Sequence, residues 1–237
     1  MFLIPDPRFA TFVTFLKSKN TRYEMKHFDP FKSRLCRNIR NELSESLMKA
    51  IHDQNIGPST AVAEKYISEN TEPFIIRYID NRLIRYRTVI NQIRSMHAQI
   101  HDAFIIALLL WDQELFFEVH EWLENKWRES KGPEKMIYQA LIRAAGAYVH
   151  LEHGRIAGAR EMASKAAASL TRHKRIVPAF LNIELLLSKL KALDPVPPKL
   201  GPSKLPAKSR HQSKQNTIHE KNFPSDDNHK CTDDAGK

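Results

Sequence analysis

Between Phe116 and Trp127 the chain reads FFEVHEWLENKW, which sets one imidazole and several carboxylates at a usable spacing. On a helical wheel of about 100° per residue, His120 and Glu124 stack one turn apart. Phe116, Leu123 and Trp127 flank His120 on one side and Phe117 on the other, so His120 and Glu124 are expected on the buried face. Glu121 falls about 100° from His120, at the border of that stripe, and Glu118, further round, is expected to face solvent. An HExxH helix holds zinc because its two histidines share a face; here the second position is Glu124, a carboxylate that zinc also accepts.

After Gly132-Pro133 a second helical pattern runs from about Glu134 to His153. Gln139, Arg143, Gly146 and His150 follow one another at helical spacing and form a polar stripe among Leu141, Ile142, Ala144, Ala145 and Ala147. Gly146 leaves room for a close approach. The short connection makes the two helices antiparallel neighbours, so this stripe is expected to meet His120, Glu121 and Glu124, with Arg143 paired to a glutamate. Three readings follow. The first is a buried polar network of His120, Glu121, Glu124, Gln139, Arg143 and His150 that holds helices in register and serves a structural or small-ligand or partner-binding role. The second is a metal-dependent hydrolase in which His120, Glu124 and His150 hold one divalent ion, Zn or Mn, and Glu121 is the general base. The third is a pocket for a small anion organised by Arg143 and the histidines.

Weaker candidates read as ordinary surface or core. His97 and His101 stand four apart without an evident third ligand, and His153 lies at a helix end before Gly154, where a histidine meets the C-terminal dipole. Phe116 and Trp127 read as core rather than as a platform for bases. No P-loop, GxGxxG or GxSxG pattern and no cysteine-nucleophile motif occurs.

The elements that must position these residues are helical. Only 7 glycines occur, no Asn-Gly or Asp-Gly hairpin signal is present, and alternating runs are short, which predicts an all-α fold: a compact antiparallel bundle with additional N-terminal helices and a disordered C-terminal tail. Residues 1–104 are expected to pack on a core at 105–193. Amphipathic segments there include Phe9, Phe12, Val13 and Leu16, then Leu43, Leu47, Ala50 and Ile51. Ser59 is expected to cap the next helix, and Pro73 to open a long one carrying Ile75, Ile79, Leu83, Tyr86, Ile90 and Ile93. The arginines of that helix, Arg77, Arg82, Arg85, Arg87 and Arg94, point to several sides and read as a solvated surface. A further helix from Ile156 to Leu170 is rich in alanine and suited to close packing.

The motif order resembles a known family. Phe116-Phe117-Glu118-Val119-His120-Glu121-Trp122-Leu123-Glu124 with Trp127, then Gln139-Ala140-Leu141-Ile142 with His150, then Gly158-Ala159-Arg160, are similar to the bacterial and archaeal family called domain of unknown function 309. The similarity spans about residues 105–193, closing on Val177-Pro178-Ala179-Phe180-Leu181-Asn182-Ile183. It implies a compact all-helical domain of a kind sometimes labelled a predicted metal-dependent hydrolase. Arg155-Ile156 and Arg143 depart from the family pattern, the latter by adding a positive charge beside any metal.

Composition bounds the rest. The chain has 237 residues, and 37 Lys and Arg against 27 Asp and Glu give a net charge of +10. The excess is spread along the chain, so specific nucleic-acid binding is not expected. No apolar run approaches the roughly eighteen residues of a membrane span, and Asp6 and Arg8 interrupt a secretory core, so a cytoplasmic protein with no membrane association is expected. Cys36 and Cys231 read as two unpaired thiols. From 194 to 237 prolines gather among Lys, Ser, Asn and Gln, which predicts a disordered tail, or a basic tether through Lys199, Lys204, Lys208 and Arg210.

Overall fold

Two of the helices begin at a side chain that caps them. The Ser33 hydroxyl accepts a hydrogen bond from Cys36 N at 3.3 Å while Ser33 itself stays extended, and Asn182 Oδ1 does the same for Leu185 N at 3.1 Å. The computed structural model describes residues 27–69, 72–95, 103–178 and 181–201. They belong to the first of two units, Met1–Leu205; the second, Pro206–Lys237, lies outside the described residues.

The fold is all-α. In chain order the helices are α1 (Arg34–His52), α2 (Gly57–Glu69), α3 (Pro73–Ser95), α4 (Ala103–Asp112), α5 (Phe116–Glu129), α6 (Gly132–Glu152), α7 (Ile156–Arg172) and α8 (Ile183–Ala192), with a 3-10 turn at Lys174–Ile176 and no strand among the described residues. Ser59 is not the cap of α2. It lies buried inside the helix, bonded to Ser46 Oγ at 3.1 Å, and Asn55 Oδ1 takes Gly57 N instead at 3.0 Å. The amphipathic segment at Phe9 to Leu16 and the pair His97 and His101 lie outside the described residues.

Packing is most extensive where α6 runs between α5 and α7. Ala140, Ala144 and Ala147 on α6 and Ala159, Ala163 and Ala166 on α7 are all fully buried or nearly so, and small residues let two helices approach closely. Gly146 belongs to this seam: a Cβ there would lie 2.6 Å from Met162 Sδ. Trp111, Phe116 and Tyr148 close the core between α4, α5 and α6, with ring centroids 5.1, 5.3 and 4.9 Å apart. On the other side α1 packs on α2, α3 and α5, and α3 on α4.

Two sequence expectations are overturned by what covers α5. Glu118 has no exposure to water, and Arg82 keeps only 8%. Tyr86 Oη donates to Glu118 Oε1 at 2.7 Å, and an Arg82 guanidinium nitrogen approaches Glu118 Oε2 at 3.4 Å. Arg82 and Arg85 also donate to the carbonyl of Glu114, which turns the α4–α5 corner at φ +54°. The wheel set Glu118 on the back of α5 correctly, but α3 lies over that back, so the position is interior. Arg77, Arg87 and Arg94 are exposed as expected.

The start of the expected tail is also ordered. Residues 195–201 form a strap against the end of α4: Trp111 Nε1 donates to Pro198 O at 2.8 Å, the Asp112 carboxylate accepts from Leu200 N at 2.7 Å and Gly201 N at 2.9 Å, and Leu200 is 2% exposed. A low apolar content hid the strap, because backbone groups and one leucine make most of its contacts.

Arg82→Met should cost about 3–5 kcal/mol in urea unfolding because it strands a buried carboxylate, and adding Glu118→Leu should restore much of the loss. A single-variant cost under about 1 kcal/mol, the range of exposed pairs, would contradict the burial described here. Leu200→Ala should cost about 2–5 kcal/mol by the same measurement, whereas the exposed Lys199→Ala should stay within about 0.5 kcal/mol.

Candidate functional site

Helix α5 carries three chemically active side chains, His120 and Glu124 turned away from Glu118 and Glu121 on the flank between. A ring nitrogen of His120 and a carboxylate oxygen from each of Glu121 and Glu124 all lie within 4.8 Å of one another, and all three residues are half-buried. His120 Nε2 stands 3.4 Å from Glu124 Oε2, while the other Glu124 oxygen accepts from Arg128 at 2.8 Å. Arg128 is the main reason the Glu124 carboxyl is held below its usual range. Glu121 behaves oppositely: burial pushes its carboxyl up, and Glu124 adds to this against the pull of His120, Arg40 and Arg128. The Arg40 guanidinium lies 3.7 Å from the centre of the Phe117 ring, which is parallel to the His120 imidazole at 6.5 Å.

This is a half-open cluster: among the described residues His120, Glu121 and Glu124 of the expected six come together, and no hydrogen bond or ion pair links them to Gln139, Arg143 or His150. Glu124 finds its cation one turn along its own helix, in Arg128, so Arg143 is not its partner; an i,i+4 pair needs no second helix. Arg143 and Gln139 are half-buried on α6. His150 faces a different neighbourhood. Its Nδ1 accepts from Arg155 Nε at 3.3 Å, Phe31 lies 5.2 Å from its ring, and the ring packs on Gly158, where an added Cβ would force it to move. The cluster of possible ligands is therefore His120, Glu121 and Glu124, without His150. Burial first, then Arg155, holds the His150 imidazole below its ordinary value, and burial does the same to His153.

Beside the cluster, between α1 and α5, is a cavity of about 320 Å3 to which Glu121 contributes, together with Ser44 and Asn125. The sequence offered no pointer to it, because α1 and α5 are some seventy residues apart in the chain. The Arg82, Tyr86 and Glu118 group was legible in part: Arg82 and Tyr86 sit on the Ile75, Ile79 and Leu83 stripe at helical spacing.

Fold and site together define a small helical domain with a His-Glu face on one helix of an antiparallel set. Residues 104–162, from α4 into α7, match the family model described as Domain of unknown function (DUF309), the family that the motifs resemble. No curated protein and no solved structure matches the chain. Among the described residues, no helix is long and apolar enough to cross a membrane.

The histidines yield a pH prediction. With their folded values lowered, the unfolded chain takes up protons first as pH falls below about 6.5, so the folded state loses stability through that range and holds it above. His150→Asn should flatten the decline of melting temperature between about pH 6.5 and 5 relative to the parent chain. A decline of the same slope in both proteins would show that His150 is not linked to folding.

Proposed function

We propose that the α5 face of His120, Glu121 and Glu124 binds one divalent cation, and that the domain works as a cation-binding module. One observation carries this reading. The 3.4 Å between His120 Nε2 and Glu124 Oε2 is the separation of two donors that share an ion at about 2.1 Å in tetrahedral geometry, roughly 3.4 Å. One nitrogen and two carboxylate oxygens suit zinc or manganese, and the half-open position leaves room for water beside them. His150 takes no part, which leaves a smaller ligand set than the sequence led one to expect. Arg128 opposes the ion, since it draws one Glu124 oxygen away, so the affinity is expected to be modest.

A hydrolytic version is favoured by one feature: of the three residues only Glu121 lines the neighbouring cavity. A bound divalent ion supplies Lewis acidity and acidifies a coordinated water. Glu121, its carboxyl raised by burial, is then the group that accepts and holds a proton, while His120 and Glu124 stay as ligands.

Protein stripped with chelator and titrated with zinc or manganese should take up one ion per chain. Its melting temperature should rise with ion concentration, the stabilisation reaching about 2.7 kcal/mol at a hundred times Kd. His120→Ala should lose the ion yet keep the fold, because the imidazole is half-exposed. Glu121→Gln separates the two versions: a ligand role predicts at least about tenfold weaker binding, a proton-accepting role predicts binding retained. Absence of any saturable ion in the parent chain, or uptake that survives His120→Ala, would end the metal reading.

A further inference from the structure

The cavity between α1 and α5 has its own chemistry. Ser44 is 1% exposed and lines it, and the Ser44 hydroxyl has no hydrogen-bond partner. Ser46, two residues on and equally interior, is fully engaged by Leu43 O at 2.6 Å and Ser59 Oγ at 3.1 Å. Of the two buried serines on this stretch of α1, the one without a partner is the one that meets the cavity. A buried hydroxyl without a partner costs free energy, which a polar atom of a ligand would recover.

Charge narrows the ligand. Glu45 and Glu121 both line the cavity, Asn41 and Asn125 add amides, and no lysine, arginine or histidine is in the lining. Cations stand near but outside the lining: Lys49 pairs with Glu45 at 3.3 Å, Arg40 lies over Phe117 and donates to Asn41 Oδ1, and Arg128 and His120 act on Glu121 from α5 itself. The remaining walls, Met48 and Phe117, are apolar and partly buried. Acceptors with no donor cation disfavour an anion and suit an ammonium group, while the apolar walls suit methylenes. We propose that this cavity binds a short aliphatic amine, its ammonium held by Glu121 and Ser44 and its carbon chain laid against Met48 and Phe117. The inference goes beyond the cation-binding reading and needs no metal, although the two share Glu121, whose carboxylate has two oxygens.

Putrescine is the probe, measured by calorimetry on chelator-treated full-length protein at low salt, with 1,4-butanediol and succinate as neutral and anionic controls of the same length. Saturable binding of one putrescine per chain is expected, with neither control competing. Glu121→Gln should weaken it at least tenfold. Ser44→Ala should weaken it several-fold without lowering the melting temperature, because that hydroxyl bonds nothing in the free chain. No saturation, equal competition by either control, or affinity unchanged in both variants, as diffuse counterion binding would give, overturns the proposal. Metal uptake is titrated on separate aliquots. Metal without putrescine binding defeats this inference alone, and putrescine binding without metal defeats only the cation-binding reading.

Discussion

A carboxylate cut off from water must be neutralised where it stands, and Glu118 sets that demand at the centre of this fold. Its partners, Arg82 and Tyr86, come from α3, a helix that precedes the family-matched segment, so burying Glu118 requires α3 to lie across the α4–α5 corner. Burial and the adjacent Glu118 hold the Tyr86 phenol protonated as a donor. The same arginine helps fix the corner itself, where Glu114 adopts a left-handed backbone that a non-glycine residue reaches only at a cost. Glu118 and His120 diverge by about 160° around α5, so fixing one inward turns the other toward the outer face.

Glu118, Glu121 and Glu124 of α5 show how environment divides one residue type into different roles. Glu118 is sealed and paired across helices. Glu124, half-buried, divides its oxygens between Arg128 and His120 on neighbouring turns of the same helix. Glu121 has lost water without gaining a strong partner, which leaves its carboxyl raised and available. Availability of that sort, next to a cavity, is what makes the His120, Glu121 and Glu124 group the candidate site, rather than the deeper and more fully satisfied Glu118 group.

Periodicity made much of this legible. The all-α class, the antiparallel placement of α5 and α6, and the adjacency of His120, Glu121 and Glu124 all follow from residues within a few turns of each other. What escaped the sequence was set by distant segments. A wheel assigns directions around one helix and cannot say which directions another helix will cover, so by itself it leaves Glu118 and Arg82 in solvent. His150 shares a stripe with Arg143, yet its surroundings come from Phe31 and Arg155, one of them more than a hundred residues away. The Ser44 cavity belongs to the same class, being made only when α1 reaches α5.

The strap at 195–201 joins Asp112 to residues nearly ninety positions later, enclosing α5 through α8 in one loop. Neighbouring helices can pair early because their chain separation is short, whereas this closure has the larger entropy to overcome and waits for them. The order of assembly should therefore run from the α5–α7 hairpins to the strap, and loosening should run in reverse. Trp111 lies at that closure, its indole N–H tied to Pro198, so its amide-like proton and its fluorescence are a built-in gauge of whether the last seam of the fold is shut.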